Sequence, residues 1–156
     1  MKYSDQPLVT SLLPNIEAGN TLNEAAVAEQ TPLVERLRDG LPMMEFRLLQ
    51  DLLRIPEEEL GRYLGISPAT LHRRKKSGRL ETPESERIVR FARLFGLCME
   101  VFETKDAARE WLKSINPGTA GESPLSYADT EFGAREVENL LGRLCLLYTS
   151  PSPRDS

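Results

Sequence analysis

The chain has 156 residues, 40% of them apolar and 28% charged, with a net charge of −4 and a pI near 5.2. That suits one globular domain or two small ones, and no run approaches the roughly 18 apolar residues of a membrane span. One histidine and two cysteines, Cys98 and Cys145, match no metal spacing and give little support to a Ser–His or Cys–His enzyme.

In chain order, the N-terminus MKYSDQPLVTSLLPN carries one lysine and a short apolar patch broken by proline, which is not a signal peptide. The cysteines therefore read as reduced thiols and the chain as cytoplasmic. Residues 1–30 read as a loosely ordered arm. Thr31 is placed to cap a short helix, with Pro32 at its first position and Gly40 at its end. Met43, Phe46, Leu49 and Leu53 recur at spacings of three and four, predicting a helix with one apolar face. Pro56 followed by Glu57, Glu58 and Glu59 opens the next helix, with carboxylates at the positive end of its dipole.

Thr82 and Pro83 open a long helix with Ile88, Phe91, Ala92, Phe95 and Met99 along one side. This set suits either a core or a dimer surface on helix 84–102. Thr104 caps a helix carrying Ala107, Ala108, Trp111, Leu112 and Ile115, which Asn116–Pro117 ends. A loop with Gly118, Gly121 and Pro124 follows. Thr130 then caps a last helix with Phe132, Val137, Leu140, Leu141 and Leu144 on one face. No segment alternates as a strand does, so the predicted fold class is all-α.

Charge is distributed unevenly along this order. Residues 62–93 hold nine Lys+Arg against three Asp+Glu, while residues 1–61 hold five against eleven and residues 94–156 six against ten. A basic middle between acidic flanks points to one face for a polyanion and others for something else. The stretch PEEELGRYLGISPATLHRRKKSGRL has the pattern of a helix-turn-helix. Leu60, Leu64, Ile66 and Leu71 point inward, Gly61 sits where the helices cross, and Gly65 permits the left-handed turn. Ser67 caps the second helix and Pro68 begins it. That helix exposes Thr70 and Arg73 for base edges, with His72 beside them. Arg74, Lys75, Lys76 and Arg79 read as phosphate clamps. The competing reading of RRKK is a solvated helix end. Arg74 also stands where many such units carry an apolar residue, three positions after Leu71. No nucleotide-binding glycine motif is present, and no cofactor, metal site or catalytic residue is expected.

The run LGISPATLHRRKKSGRLETPESERIVRFARL resembles Xre-type antitoxins of bacterial RES–Xre toxin–antitoxin pairs. The pattern AAREWLKSINPG, then SPLSYADTEFGAREVENLLGRL, is similar to the toxin-binding domain of the same Xre/MbcA/ParS group. Trp111, Asn116, Pro117, Pro124, Leu125, Thr130, Gly133, Val137 and Leu141 sit on its marks. The likeness implies a helix-turn-helix and dimerisation region over 31–103 and a small helical toxin-binding domain over 104–144. It implies a non-enzymatic antitoxin that is a homodimer, binds and neutralises a RES-domain, NAD-consuming toxin, and represses its own operon at operator DNA. Toxin-binding residues would be Trp111, Pro124, Leu125, Tyr127, Thr130, Gly133, Val137 and Leu141. A plain helix-turn-helix repressor with a dimerising or ligand-sensing C-terminal domain is the alternative. From Leu144 the chain reads LCLLYTSPSPRDS where the family has a Glu-His-Gly-Val-like ending. Residues 145–156 are therefore expected to form an atypical tail, foreign to the fold and without helical continuation.

Overall fold

The computed structural model describes residues 8–11 and 30–149, and its regular elements there are helical. They are α1 (Leu8–Ser11), α2 (Gln30–Asp39), α3 (Met43–Leu53), α4 (Glu57–Tyr63), α5 (Pro68–Ser77), α6 (Thr82–Phe102), α7 (Lys105–Lys113), a 3₁₀ turn (Pro117–Thr119), α8 (Pro124–Tyr127) and α9 (Glu131–Thr149). Isolated bridges join Pro42 to Arg79 and Asn116 to Glu122. The chain divides into two compact units, Met1–Ala92 and Arg93–Ser156, and the division falls inside α6.

The first unit is built on the apolar spacings. Met43, Phe46, Leu49 and Leu53 of α3 are buried, together with Leu60, Leu64, Ile66, Leu71, Leu80, Ile88 and Phe91. Fully burying side chains of this size stabilises a fold by about 1.5–3 kcal/mol each before entropy is counted. The segments flanking α3 and α5 are stitched to each other. Leu80 N–H donates to the Leu41 carbonyl at 2.8 Å, Met43 N–H to the Gly78 carbonyl at 2.9 Å, and Leu41 N–H to the Ser85 hydroxyl at 2.8 Å. These bonds fix where α5 ends.

Two expected caps are displaced. Helix α2 begins at Gln30, so Thr31 lies inside it. Helix α6 begins at Thr82, and the carboxylate of Glu84 reaches back to accept the Glu81 N–H at 2.9 Å. The Thr82 hydroxyl instead donates to the Arg38 carbonyl at 3.1 Å, tying down the end of α2. Part of the expected loose arm is also held. Leu8 and Val9 are buried, and their N–H groups donate to the Glu45 carboxylate at 2.7 and 3.0 Å. Glu45 is itself wholly buried, 3.7 Å from the Arg36 guanidinium. Residues 1–7 and 12–29 lie outside the described residues.

In the second unit, Leu94, Phe95 and Cys98 of α6 are buried, with Ala108 and Leu112 of α7, Leu125 of α8, and Ala134, Val137 and Leu141 of α9. The stretch read as a glycine loop is an ordered connection. Asn116 caps the 3₁₀ turn by accepting from Gly118 N–H at 2.8 Å, and Ser123 caps α8 by accepting from Ser126 N–H at 3.2 Å. The buried Thr119 hydroxyl sits between the carbonyls of Asn116 and Glu122, at 3.0 and 2.6 Å. Thr104 and Thr130 cap α7 and α9 as their spacing predicts, accepting from Ala107 and Gly133 N–H at 3.1 and 3.0 Å.

The ending differs from expectation. Helix α9 continues through Cys145 to Thr149, because Cys145, Leu146, Leu147 and Tyr148 have nothing to break a helix before the prolines at 151 and 153. The remainder, 150–156, lies outside the described residues. Ile88, Phe91, Phe95 and Met99 are all buried in the single chain, so these four serve its own packing.

Candidate nucleic-acid interface and partner surface

Helices α4 and α5 form a tight helix-turn-helix. Pro56 holds the extended conformation ahead of α4, at φ −63° and ψ 152°. After Leu64, Gly65 takes φ +71°, which a side-chain-bearing residue adopts only with strain. Ile66 N–H then donates back to the Gly61 carbonyl at 2.7 Å. A Cβ on Gly61 would lie 3.2 Å from the Ile66 carbonyl oxygen and 3.9 Å from Leu71 Cδ2, so the turn folds closely over this glycine. Arg87 of α6 closes the motif from below, donating to the Leu64 carbonyl at 2.8 Å. Ser67 accepts from Thr70 N–H at 3.2 Å and starts α5 with Pro68. Rings of Tyr63 and Phe91 meet at 6.2 Å behind it.

On α5, Leu71 is the buried residue. Ala69, Arg73 and Lys76, spaced by four and three, lie on the opposite, exposed side. His72 is exposed beside them. Thr70 is half-buried, its hydroxyl 3.0 Å from the Ser67 hydroxyl and 3.2 Å from the Arg73 guanidinium. The other cations expected to clamp phosphates are engaged inside the chain. Arg74 is 15% exposed and pairs with Glu84 at 2.9 Å and Glu81 at 3.2 Å. The Glu84 hydrogen bond holds its guanidinium above the ordinary value. Arg74 thus braces α5 against the start of α6. It fills the site where an apolar residue is common, and α6 supplies the carboxylate that makes a charge tolerable there. Lys75 pairs with Glu57 of α4 at 2.7 Å. Arg79 donates to the Gly40 carbonyl at 2.6 Å and pins the end of α2. Among the described residues, no ion pair or hydrogen bond engages the Lys76 side chain.

The second unit takes several residues of the expected partner surface into its interior. Val137, Leu141, Leu125, Pro124 and Gly133 are buried. Trp111 is half-buried and stacks on Phe102 at 5.6 Å. Tyr127 is half-buried and Thr130 is exposed at its cap. The large apolar side chains of this unit that face outward are Ile115 at 77% exposure, Phe132 at 76% and Leu146 at 67%. The spacing grouped Ile115 with Trp111 and Leu112, and Phe132 with Val137 and Leu141. The buried register of α9 is Ala134, Val137 and Leu141, which places Phe132 on another side; taking Ala134 as core would have revealed this. Cys98 is buried and its thiol is pushed up by desolvation, so it is unreactive. Among the described residues, no group of His, Cys, Asp or Glu is arranged to hold a metal ion, and no helix is long and apolar enough to cross a membrane.

Two family models match the chain. The antitoxin Xre-like helix-turn-helix domain covers residues 32–93, and the antitoxin Xre/MbcA/ParS C-terminal toxin-binding domain covers residues 99–144. Curated relatives match over both. A protein named antitoxin Xre from Yersinia enterocolitica is 35% identical over 116 residues, 73% of this chain and 78% of that protein. Another of the same name from Photorhabdus laumondii is 34% identical over 110 residues, 69% of this chain and 74% of that protein.

Proposed function

The chain belongs to the Xre antitoxin family, with a helix-turn-helix domain followed by a toxin-binding domain, and on that premise we propose that it neutralises a RES-domain, NAD-consuming toxin and represses its own operon. The protein acts by binding and catalyses no reaction. It works in the cytoplasm. DNA is met by the exposed face of α5, where Arg73 reaches base edges and Lys76 a phosphate, with Thr70 and His72 beside them and Arg79 at the end. Two copies pair so that two such helices read two half-sites, since one helix alone covers too little DNA to bind tightly. That pairing has no support from the α6 core residues and rests on the geometry of DNA reading.

The observation that carries the toxin reading is the outward display of Ile115 and Phe132 on the unit that matches a toxin-binding domain. Large apolar side chains this exposed are available to fill a partner's pockets. The buried marks, from Pro124 to Leu141, hold that surface in shape.

The test is co-expression with a RES-domain toxin and capture through a tag on the chain. The toxin should co-purify. Phe132→Ala combined with Ile115→Ala should lose it while the circular dichroism stays unchanged. Capture of equal toxin by the double variant would move the interface elsewhere, and no capture by the unaltered chain would defeat the reading.

A further inference from the structure

A helix N-terminus normally attracts phosphate, and the first helix of a helix-turn-helix lies where the DNA backbone crosses. In this chain that end of α4 carries Glu57, Glu58 and Glu59. Glu57 also reaches α5, where its Oε2 sits 2.7 Å from Lys75 Nζ. The two helices flank a groove of about 560 Å³ whose walls include Glu57, Glu58, His72 and Lys75, so this ion pair shares a surface with a residue of the recognition helix. Lys75 lies on the flank of α5 nearest α4, beside the exposed stripe of Arg73 and Lys76. A cation on that flank would meet the phosphates of the strand bordering the groove.

We propose that Glu57 is a positioning residue that limits DNA affinity: it holds Lys75 away from the phosphate backbone and adds a negative charge where that backbone passes. The inference rests on the DNA-binding reading above. The pair is about one-third exposed on each side, 36% for Lys75 and 31% for Glu57, so it is weak enough for a phosphate to compete and strong enough to bias the contest. Antitoxin DNA binding is thereby held down in the isolated chain and made sensitive to anything that shifts the Glu57–Lys75 balance.

The experiment is fluorescence anisotropy of the full chain on a labelled mixed-sequence duplex of about 30 base pairs, across a salt series. Glu57→Gln should tighten binding roughly three- to tenfold at low salt and steepen the log–log salt slope by about one, as one more phosphate contact would. In that background Lys75→Gln should cancel the gain, whereas in the unaltered chain it should cost less than Lys76→Gln. Glu58→Gln removes an equal charge without the Lys75 contact and should gain less than Glu57→Gln. An equal gain from Glu58→Gln would reduce the effect to bulk charge and overturn the proposal. So would an unchanged salt slope in Glu57→Gln, or a gain that survives Lys75→Gln. If Arg73→Ala and Lys76→Gln leave binding untouched while Glu57→Gln strengthens it, the α5 reading fails and the anion site lies elsewhere. If neither the unaltered chain nor Glu57→Gln binds the duplex at low salt, both the DNA reading and this proposal fail.

Discussion

Gly133→Ala should destabilise the protein even though Gly133 lies inside a helix, where alanine is ordinarily better. Replacing an exposed helical glycine by alanine gains about 1 kcal/mol through the unfolded chain's entropy and the helix propensity. At Gly133 the added Cβ would collide with the Tyr127 carbonyl oxygen, and would lie 3.0 Å from that carbonyl carbon and 3.2 Å from the Thr130 hydroxyl. The obstacle is backbone at the end of α8, so no side chain can rotate away. Helix α9 must shift against α8, which disturbs Val137 and Leu141 behind it. Overpacking of this kind costs about 1–3 kcal/mol, and a rigid backbone partner places it at the upper end. The net expectation is a loss of about 2 kcal/mol, or roughly 4–8 °C in Tm. Gly142 is the internal control, because it lies on the same helix and nothing approaches a Cβ there within 4 Å. Gly142→Ala should gain about 0.5–1 kcal/mol. Urea unfolding of both variants checks the sign of each. A Gly133→Ala protein as stable as Gly142→Ala would refute the close approach of α9 to α8.

The remaining expectations concern charge and exposure. Arg74→Ala should cost about 1–2 kcal/mol, because Glu84 stays buried without its partner, and Arg74→Met should lose less because its stem still packs; chemical denaturation separates the two. Burial holds the Glu45 carboxyl above its ordinary value of 4.5, against the Val9 and Leu8 N–H groups that lower it. The folded protein thus binds that proton more tightly than the unfolded chain, so this contribution to stability is full below 4.5 and is lost as pH rises through the raised value. Glu45→Gln should flatten that part of the stability–pH curve, read as urea midpoints from pH 4.5 to 7. Leu141→Ala should cost about 2–4 kcal/mol, whereas Phe132→Ala should change stability by less than about 0.5 kcal/mol. Equal losses in thermal melts would contradict the burial pattern of α9.

Much of the fold was legible because helical periodicity and caps are local. The turn of the helix-turn-helix followed from Leu60, Gly61, Gly65, Ile66, Ser67 and Leu71, whose roles depend on neighbours within about a dozen positions. What escaped the sequence was long-range pairing. Nothing near Arg74 announces that Glu84, ten positions on and in another helix, will take its charge. Glu45 reads as a solvent-side charge between Met44 and Phe46, yet it binds N–H groups 36 and 37 positions away. The short α8 and the 3₁₀ turn carry too few residues for a period to show, and only their Ser123 and Asn116 caps mark them. The burial of Pro124, Leu125, Val137 and Leu141 was hidden for a related reason. A family's recurrent residues include those that hold a surface in shape, and burial alone distinguishes these from residues that touch a partner.

The proposed silencing of a RES-domain toxin by binding is open to direct test. The direct measurement is the rate at which purified toxin consumes NAD as the chain is titrated in. The account predicts a fall toward zero that saturates at a fixed molar ratio, with the Phe132→Ala and Ile115→Ala double variant shifted to much higher concentration. An undiminished rate at a large excess of folded chain would contradict it.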